Sequence, residues 1–181
     1  MQHEIVFSGF GGQGALFAGQ VLAYAAMDQG LNVTWIPSYG PEMRGGTAHC
    51  TVVISDKPIG SPIVSRPGVA AVFNIPSFER YEPLVSENGL LVVNTSLVTQ
   101  HSNRTDLDVV YVPATDTAND LGNGRLANMV VLGALLSSRP LVPIEAAKKA
   151  LTEHIAERHR GTLDLNYRAL ALGVEMAANP A

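Results

Sequence analysis

Hydrophobic positions open the chain as a short unbroken block. Ile5, Val6 and Phe7 lie in succession within residues 3–8, too few for a helix and rich in β-formers, so they predict a buried strand. The period then changes. Across residues 13–29, Leu16, Phe17, Val21, Leu22, Tyr24 and Met27 cover most of a helical circumference, and Gly30 supplies a C-terminal stop. Gly14 and Gly19 on this helix allow a neighbouring element to come close. Residues 32–36 (Asn-Val-Thr-Trp-Ile) predict a second strand, completing a βαβ unit with a right-handed crossover.

A Gly/Pro-rich loop at residues 37–46 leads into strict alternation. Ala48, Cys50, Val52 and Ile54 are set against Thr47, His49, Thr51, Val53 and Ser55, which predicts a strand with one buried face. Ser55-Asp56-Lys57-Pro58 reads as the turn after it. Such a strand suits an antiparallel insertion in an otherwise parallel sheet. Residues 69–74, 89–94 and 109–112 predict three more short buried strands, with a helical stretch at 77–81. Residues 126–136 are apolar on all sides, as in a central buried helix. Two surface helices follow. Residues 144–158 set Ile144, Ala147, Leu151 and Ile155 against Glu145, Lys148, Lys149 and Glu153, and residues 163–176 align Leu163, Tyr167, Leu170 and Val174 in one stripe. The expected fold class is α/β: one three-layer α/β/α domain over residues 1–181, with a mostly parallel, mixed central sheet and a hairpin insertion.

Composition narrows the function. With 181 residues, 46% of them hydrophobic and 15% charged, the chain can bury a full core and is unlike a disordered one. A net charge of −4 offers no general attraction to nucleic acid. The basic group His154, Arg158, His159 and Arg160 reads as the solvated end of a helix. A single cysteine, Cys50, cannot make an internal disulfide, a thiolate zinc site or a four-cysteine cluster site. No apolar run reaches the length of a membrane span, and a cytoplasmic location is expected. No metal site is expected.

Two loops carry candidate chemistry. Gly9-Phe10-Gly11-Gly12-Gln13-Gly14 follows the first strand and opens the first helix, with Gly9, Gly11 and Gly14 in G-x-G-x-x-G spacing. A dinucleotide site would also need an Asp or Glu closing the second strand, and that strand ends Trp35-Ile36-Pro37-Ser38. No Gly-Lys-Ser/Thr follows for a nucleoside triphosphate. Two readings remain open: backbone amides holding an anionic group at the helix N-terminus, or a tight turn and nothing more. The second loop, Ser38-Tyr39-Gly40-Pro41-Glu42-Met43-Arg44-Gly45-Gly46-Thr47-Ala48, is constrained by three glycines and a proline. It leaves the second strand beside the first loop, on the sheet edge where α/β proteins bind ligands.

With both loops in view, the chain resembles the gamma subunit of the 2-oxoacid:ferredoxin oxidoreductases, equivalent to one domain of the single-chain pyruvate enzymes. Gly122-Asn123-Gly124-Arg125-Leu126-Ala127-Asn128-Met129 and Leu132-Gly133-Ala134-Leu135 extend the resemblance in family order over nearly the whole chain. The Pro41–Gly46 tract is similar to the 2-oxoglutarate and branched-chain branches. The resemblance implies a complex that decarboxylates a 2-oxoacid, with 2-oxoglutarate expected, on thiamine diphosphate and passes electrons through iron–sulfur clusters to ferredoxin. It releases an acyl-CoA. Thiamine diphosphate and the clusters are then expected on alpha, beta and, where present, delta partner subunits. This chain would carry no catalytic residue and be inactive alone. Its share is to shape the site through Gly9, Gly11, Gly12, Gln13, Gly14, Ser38, Tyr39, Gly40, Pro41, Arg44, Gly45 and Gly46, with contacts to CoA or to the partner subunits.

Single residues keep their alternatives. Arg44 suits a CoA phosphate or substrate carboxylate, or a structural bridge to Glu42 or a partner. Tyr39 shapes the site, and Gln13 and Ser38 offer polar contacts. Cys50 reads as an inert core residue. His49, on the opposite face, has no metal-ligand neighbour in sequence. Asn123 fits a helix cap, while Asn128 on an apolar helix needs a buried partner. A self-sufficient nucleotide-binding oxidoreductase and a purely structural assembly module stand as rival functions.

Overall fold

The computed structural model describes residues 1–40 and 46–179, with the backbone alone at 158 and 159. Its centre is a six-stranded sheet built from β1 (Gln2–Phe10), β2 (Asn32–Tyr39), β3 (Thr47–Ser55), β4 (Val69–Val72), β5 (Leu90–Asn94) and β6 (Asp108–Val112). The strand order is β2-β3-β1-β4-β5-β6. β3 pairs antiparallel with both β1 and β2, whereas β1–β4, β4–β5 and β5–β6 are parallel. The sheet is therefore mixed and mostly parallel, with the β2–β3 hairpin as its insertion. The βαβ unit runs from β1 through α1 (Ala15–Asp28) to β2, and β3 occupies the place between the two strands.

Side-chain alternation on β1 divides the layers. Ile5 and Phe7 join α1 and the helices α3 (Ala114–Asp120), α4 (Ala127–Ser138), α5 (Ile144–His154) and α6 (Leu163–Ala178) in one large core. Val6 points the other way, into a smaller core with Phe78 and Tyr81 of α2 (Ile75–Tyr81). Three layers result. α4 is the buried spine: every residue from Ala127 to Leu136 is buried, as its uniform apolarity requires. Among the described residues no helix is long and apolar enough to cross a membrane.

Several local expectations change. β2 extends to Tyr39, so Pro37 and Ser38 belong to a strand rather than a loop. Pro37 is tolerated because β2 is an edge strand that need not donate on both sides. Val53 and Ser55 are buried along with the inward face of β3, because alternation reports only one covered face and this end of β3 is covered on both. α3 was not foreseen; its run Ala-Thr-Asp-Thr-Ala-Asn-Asp carries no apolar period. α5 stops at His154, short of residue 158, and Glu157–Thr162 forms a 3₁₀ turn. The buried stripe of α6 is Asn166, Ala169, Leu170 and Gly173, while Leu163, Tyr167 and Val174 are only half-buried. The cause is a close crossing with α4. A Cβ on Gly133 would overlap the Leu170 carbonyl oxygen, and one on Gly173 would overlap the Val130 carbonyl oxygen.

Candidate functional site

The glycine loop turns the chain from β1 into α1 within four residues. The Gln13 N–H donates to the Phe10 carbonyl at 3.1 Å, and the Phe10 N–H donates to Gln13 Oε1 at 2.6 Å. Gly12 and Gly14 adopt φ of +98° and +80°, a left-handed backbone that L side chains resist. Among the described residues Gly14 caps α1 without any side-chain acceptor, and no acidic residue lies in the first turn. The leading amides of α1 thus keep their capacity for an external acceptor, at the positive end of the helix dipole.

Polar side chains brace the same sheet edge. Gln13 Oε1 also accepts from Asn74 Nδ2 at 3.1 Å, and Asn74 Oδ1 caps α2 by accepting from the Ser77 N–H at 3.0 Å. Asn94, fully buried at the end of β5, donates from Nδ2 to Thr115 Oγ1 at 2.9 Å and accepts from the Thr115 N–H at 3.2 Å. Between β1 and β4 the following helices, α1 and α2, leave to opposite faces of the sheet. That divergence opens a crevice outside the carboxyl ends of the strands, the usual ligand position in open α/β sheets.

Two adjoining clefts occupy this edge. The larger, about 530 Å³, is lined by Gly12, Gly14, Arg125, Asn128, His154 and Asn166 among others. The smaller, about 160 Å³, is lined by Gly12, Gln13, Leu97, Thr115 and Arg125 among others. Arg125 borders both and is exposed; its N–H donates to Asn123 Oδ1 at 3.1 Å, which confirms the capping role expected of Asn123. Asn128 is 5% exposed and donates from Nδ2 to the Gly14 carbonyl at 3.3 Å, while its buried Oδ1 has no partner among the described residues. No carboxylate lines either cleft among the described residues. Helix-start amides and a guanidinium, with no carboxylate among the described lining residues, are chemistry that suits a phosphate or carboxylate.

The two loops meet at their bases. The Gly11 N–H donates to the Gly46 carbonyl at 2.9 Å, and the Gly40 N–H donates to the Thr47 carbonyl at 2.6 Å. Gly9 is buried where a Cβ would stand 2.7 Å from Gln13 Oε1 and 2.9 Å from Phe73 Cβ. Ser38 and Tyr39 extend β2 instead, with Tyr39 71% exposed, and neither lines the clefts. Pro41, Arg44 and Gly45 lie outside the described residues, as do Glu42 and Met43.

Arg125, which borders both clefts, was not among the candidate residues read from the sequence. The Gly122–Met129 tract was the available signal, but only the fold brings it against Gly12, more than a hundred positions earlier in the chain. Cys50 is fully buried, and burial pushes its thiol up to about 12. His49 faces α2 with its ring 5.9 Å from that of Tyr81. Burial, then the Arg80 charge, holds it below the ordinary imidazole range. A third cavity, about 340 Å³ and lined by His3, Glu4, Arg66 and Arg139 among others, lies at the opposite, amino end of the strands.

Known proteins resemble the chain over nearly its full length. Residues 4–176 match the family described as pyruvate ferredoxin/flavodoxin oxidoreductase. The chain is 41% identical over 134 residues to the ketoisovalerate oxidoreductase subunit VorA of Methanothermobacter marburgensis, covering 74% of this chain and 28% of that longer subunit. It is 34% identical over 180 residues to the 2-oxoglutarate synthase subunit KorC of Methanocaldococcus jannaschii, covering 98% of this chain and 95% of that one. The keto/oxoacid ferredoxin oxidoreductase gamma subunit of Geobacter sulfurreducens superposes with a TM-score of 0.86 at 32% identity, over 98% of this chain and 97% of that one. The chain belongs to the gamma-subunit family of the 2-oxoacid:ferredoxin oxidoreductases.

Proposed function

We propose that this chain is the gamma subunit of a cytoplasmic 2-oxoacid:ferredoxin oxidoreductase acting on 2-oxoglutarate, and that its glycine-loop edge holds an anionic group of CoA. The observation that carries this reading is the uncapped N-terminus of α1 beside Arg125 on a carboxylate-free cleft. The near full-length likeness to a 2-oxoglutarate synthase subunit supports the choice of 2-oxoacid. Thiamine diphosphate and the iron–sulfur clusters sit on alpha, beta and any delta partners, since one buried cysteine cannot ligate a cluster. Gly9, Gly11, Gly12, Gln13 and Gly14 shape the anion seat. In this reading Ser38, Tyr39, Gly40, Pro41, Gly45 and Gly46 of the second loop make contacts to CoA or to the partner subunits, and Arg44 pairs with a CoA phosphate.

Arg125→Ala in the reconstituted complex tests the assignment. Loss of a charge-assisted contact raises KM for CoA about tenfold or more with the complex intact. Unchanged CoA kinetics in both Arg125→Ala and Arg44→Ala would leave the chain a structural assembly module. That second reading is favoured by the exposure of Tyr39 and of Ile63, 71% and 81%.

A further inference from the structure

α1 and α5 end against one another. Asp28 is the last residue of α1, and Glu153 and His154 are the last two of α5. One ligand atom from each of the three lies within 4.8 Å of the other two, and His154 Nε2 stands 3.3 Å from Asp28 Oδ2. Neighbouring ligands on a tetrahedral zinc ion with bonds of about 2.0–2.1 Å are about 3.3–3.4 Å apart. The histidine is also held in place: its ring stacks on Tyr24 with centroids 4.0 Å apart and planes 8° from parallel. Two helix C-termini, each with the negative end of its dipole, add to two carboxylates. Lys149, 3.8 Å from Glu153, is the competing cation, and that pair is exposed and weak.

We propose that Asp28, Glu153 and His154 form a divalent transition-metal site, with zinc the best match, that clamps the end of α1 to the end of α5. One imidazole and two carboxylates form a mixed N/O set that suits zinc or cobalt better than magnesium or calcium. A solvent molecule completes the tetrahedron. His154 also borders the larger cleft, so the clamp fixes part of that wall. Asp28 and Glu153 lie outside both clefts, and the site does not depend on the CoA reading. His154 is the exposed end of α5, as expected of it, and the end of α1 is its neighbour. Sequence spacing gave no hint of it, because Asp28 and His154 are 126 positions apart.

A proton on Nε2 would produce the same His–Asp distance, so titration with metal decides. The full chain is titrated with Co²⁺, read by the intense visible bands of tetrahedral cobalt, and Zn²⁺ is then added in competition. The expected result is one equivalent bound, displaced by Zn²⁺, and weakened about tenfold or more in Asp28→Asn and His154→Gln. Glu153→Gln alters a surface side chain and keeps the comparison valid if either other variant fails to fold. Absence of tetrahedral bands, or affinity unchanged in the folded variants, overturns the site.

Discussion

Gly14 serves two demands that no other residue type meets together. Its φ of +80° ends the turn into α1, and an added Cβ would overlap the Asn128 side-chain amide. Left-handed backbone and overpacking are each unfavourable for alanine, so Gly14→Ala is expected to cost about 2–4 kcal/mol in urea unfolding. Cys50 gives a chemical readout of the same core. Its thiol pKa is raised from 9.0 to about 12, so the folded state holds the proton more tightly than the unfolded chain. The associated stability is complete below pH 9.0 and is lost as pH rises toward about 12. Thiol labelling at pH 8 is therefore expected to wait on unfolding; rapid labelling of the native protein would contradict the burial. His49 runs the other way. Its pKa is lowered from 6.5 by burial and Arg80, so its contribution is present above that value and is lost as pH falls below it. Its imidazole resonances in a pH titration should turn over below 6.5. The inert character of Cys50 was legible because alternation on β3 assigns it a face. The place of Arg125 was not, because nothing local links residue 125 to residue 12.

The crossing of α4 and α6 depends on small residues at its contact. Ala in place of Gly173 gains about 1 kcal/mol of helix propensity, yet its Cβ would meet the Val130 carbonyl oxygen, and backbone cannot turn aside as a side chain can. Overlap wins. Gly173→Ala and Gly133→Ala are each expected to destabilise by about 1–3 kcal/mol, measured as a lowered Tm with helical content retained. This crossing also explains why the stripe on α6 was misplaced. Periodicity weights Leu163, Tyr167 and Val174 for their size, whereas close approach selects Ala169 and Gly173 for lack of it. Strand positions were easier to read, since five short apolar runs could be little else. Pro37 concealed the end of β2 because a proline looks like a break unless the strand is known to lie at an edge.

Across the molecule, the β2–β3 hairpin shapes the sheet edge that carries the candidate site. β3 lies between β1 and β2 and carries the base of the second loop to the first, through the bond from Gly11 to Gly46. Fold class and the mixed sheet followed from periods of two and 3.6 and from one alternating strand. The order of strands did not, because pairing partners are chosen by three-dimensional burial. The family was legible through motif resemblance, while the approach of Arg125 to the glycine loop needed the fold. The central claim is that this chain contributes a CoA-side surface to a larger enzyme and has no activity of its own. The most direct measurement assays the purified chain, alone and reconstituted with its co-purifying subunits, for ferredoxin reduction with 2-oxoglutarate, CoA and thiamine diphosphate. The account predicts no turnover by the chain alone and CoA-dependent turnover by the complex, with KM for CoA raised in Arg125→Ala; turnover by the chain alone would contradict it.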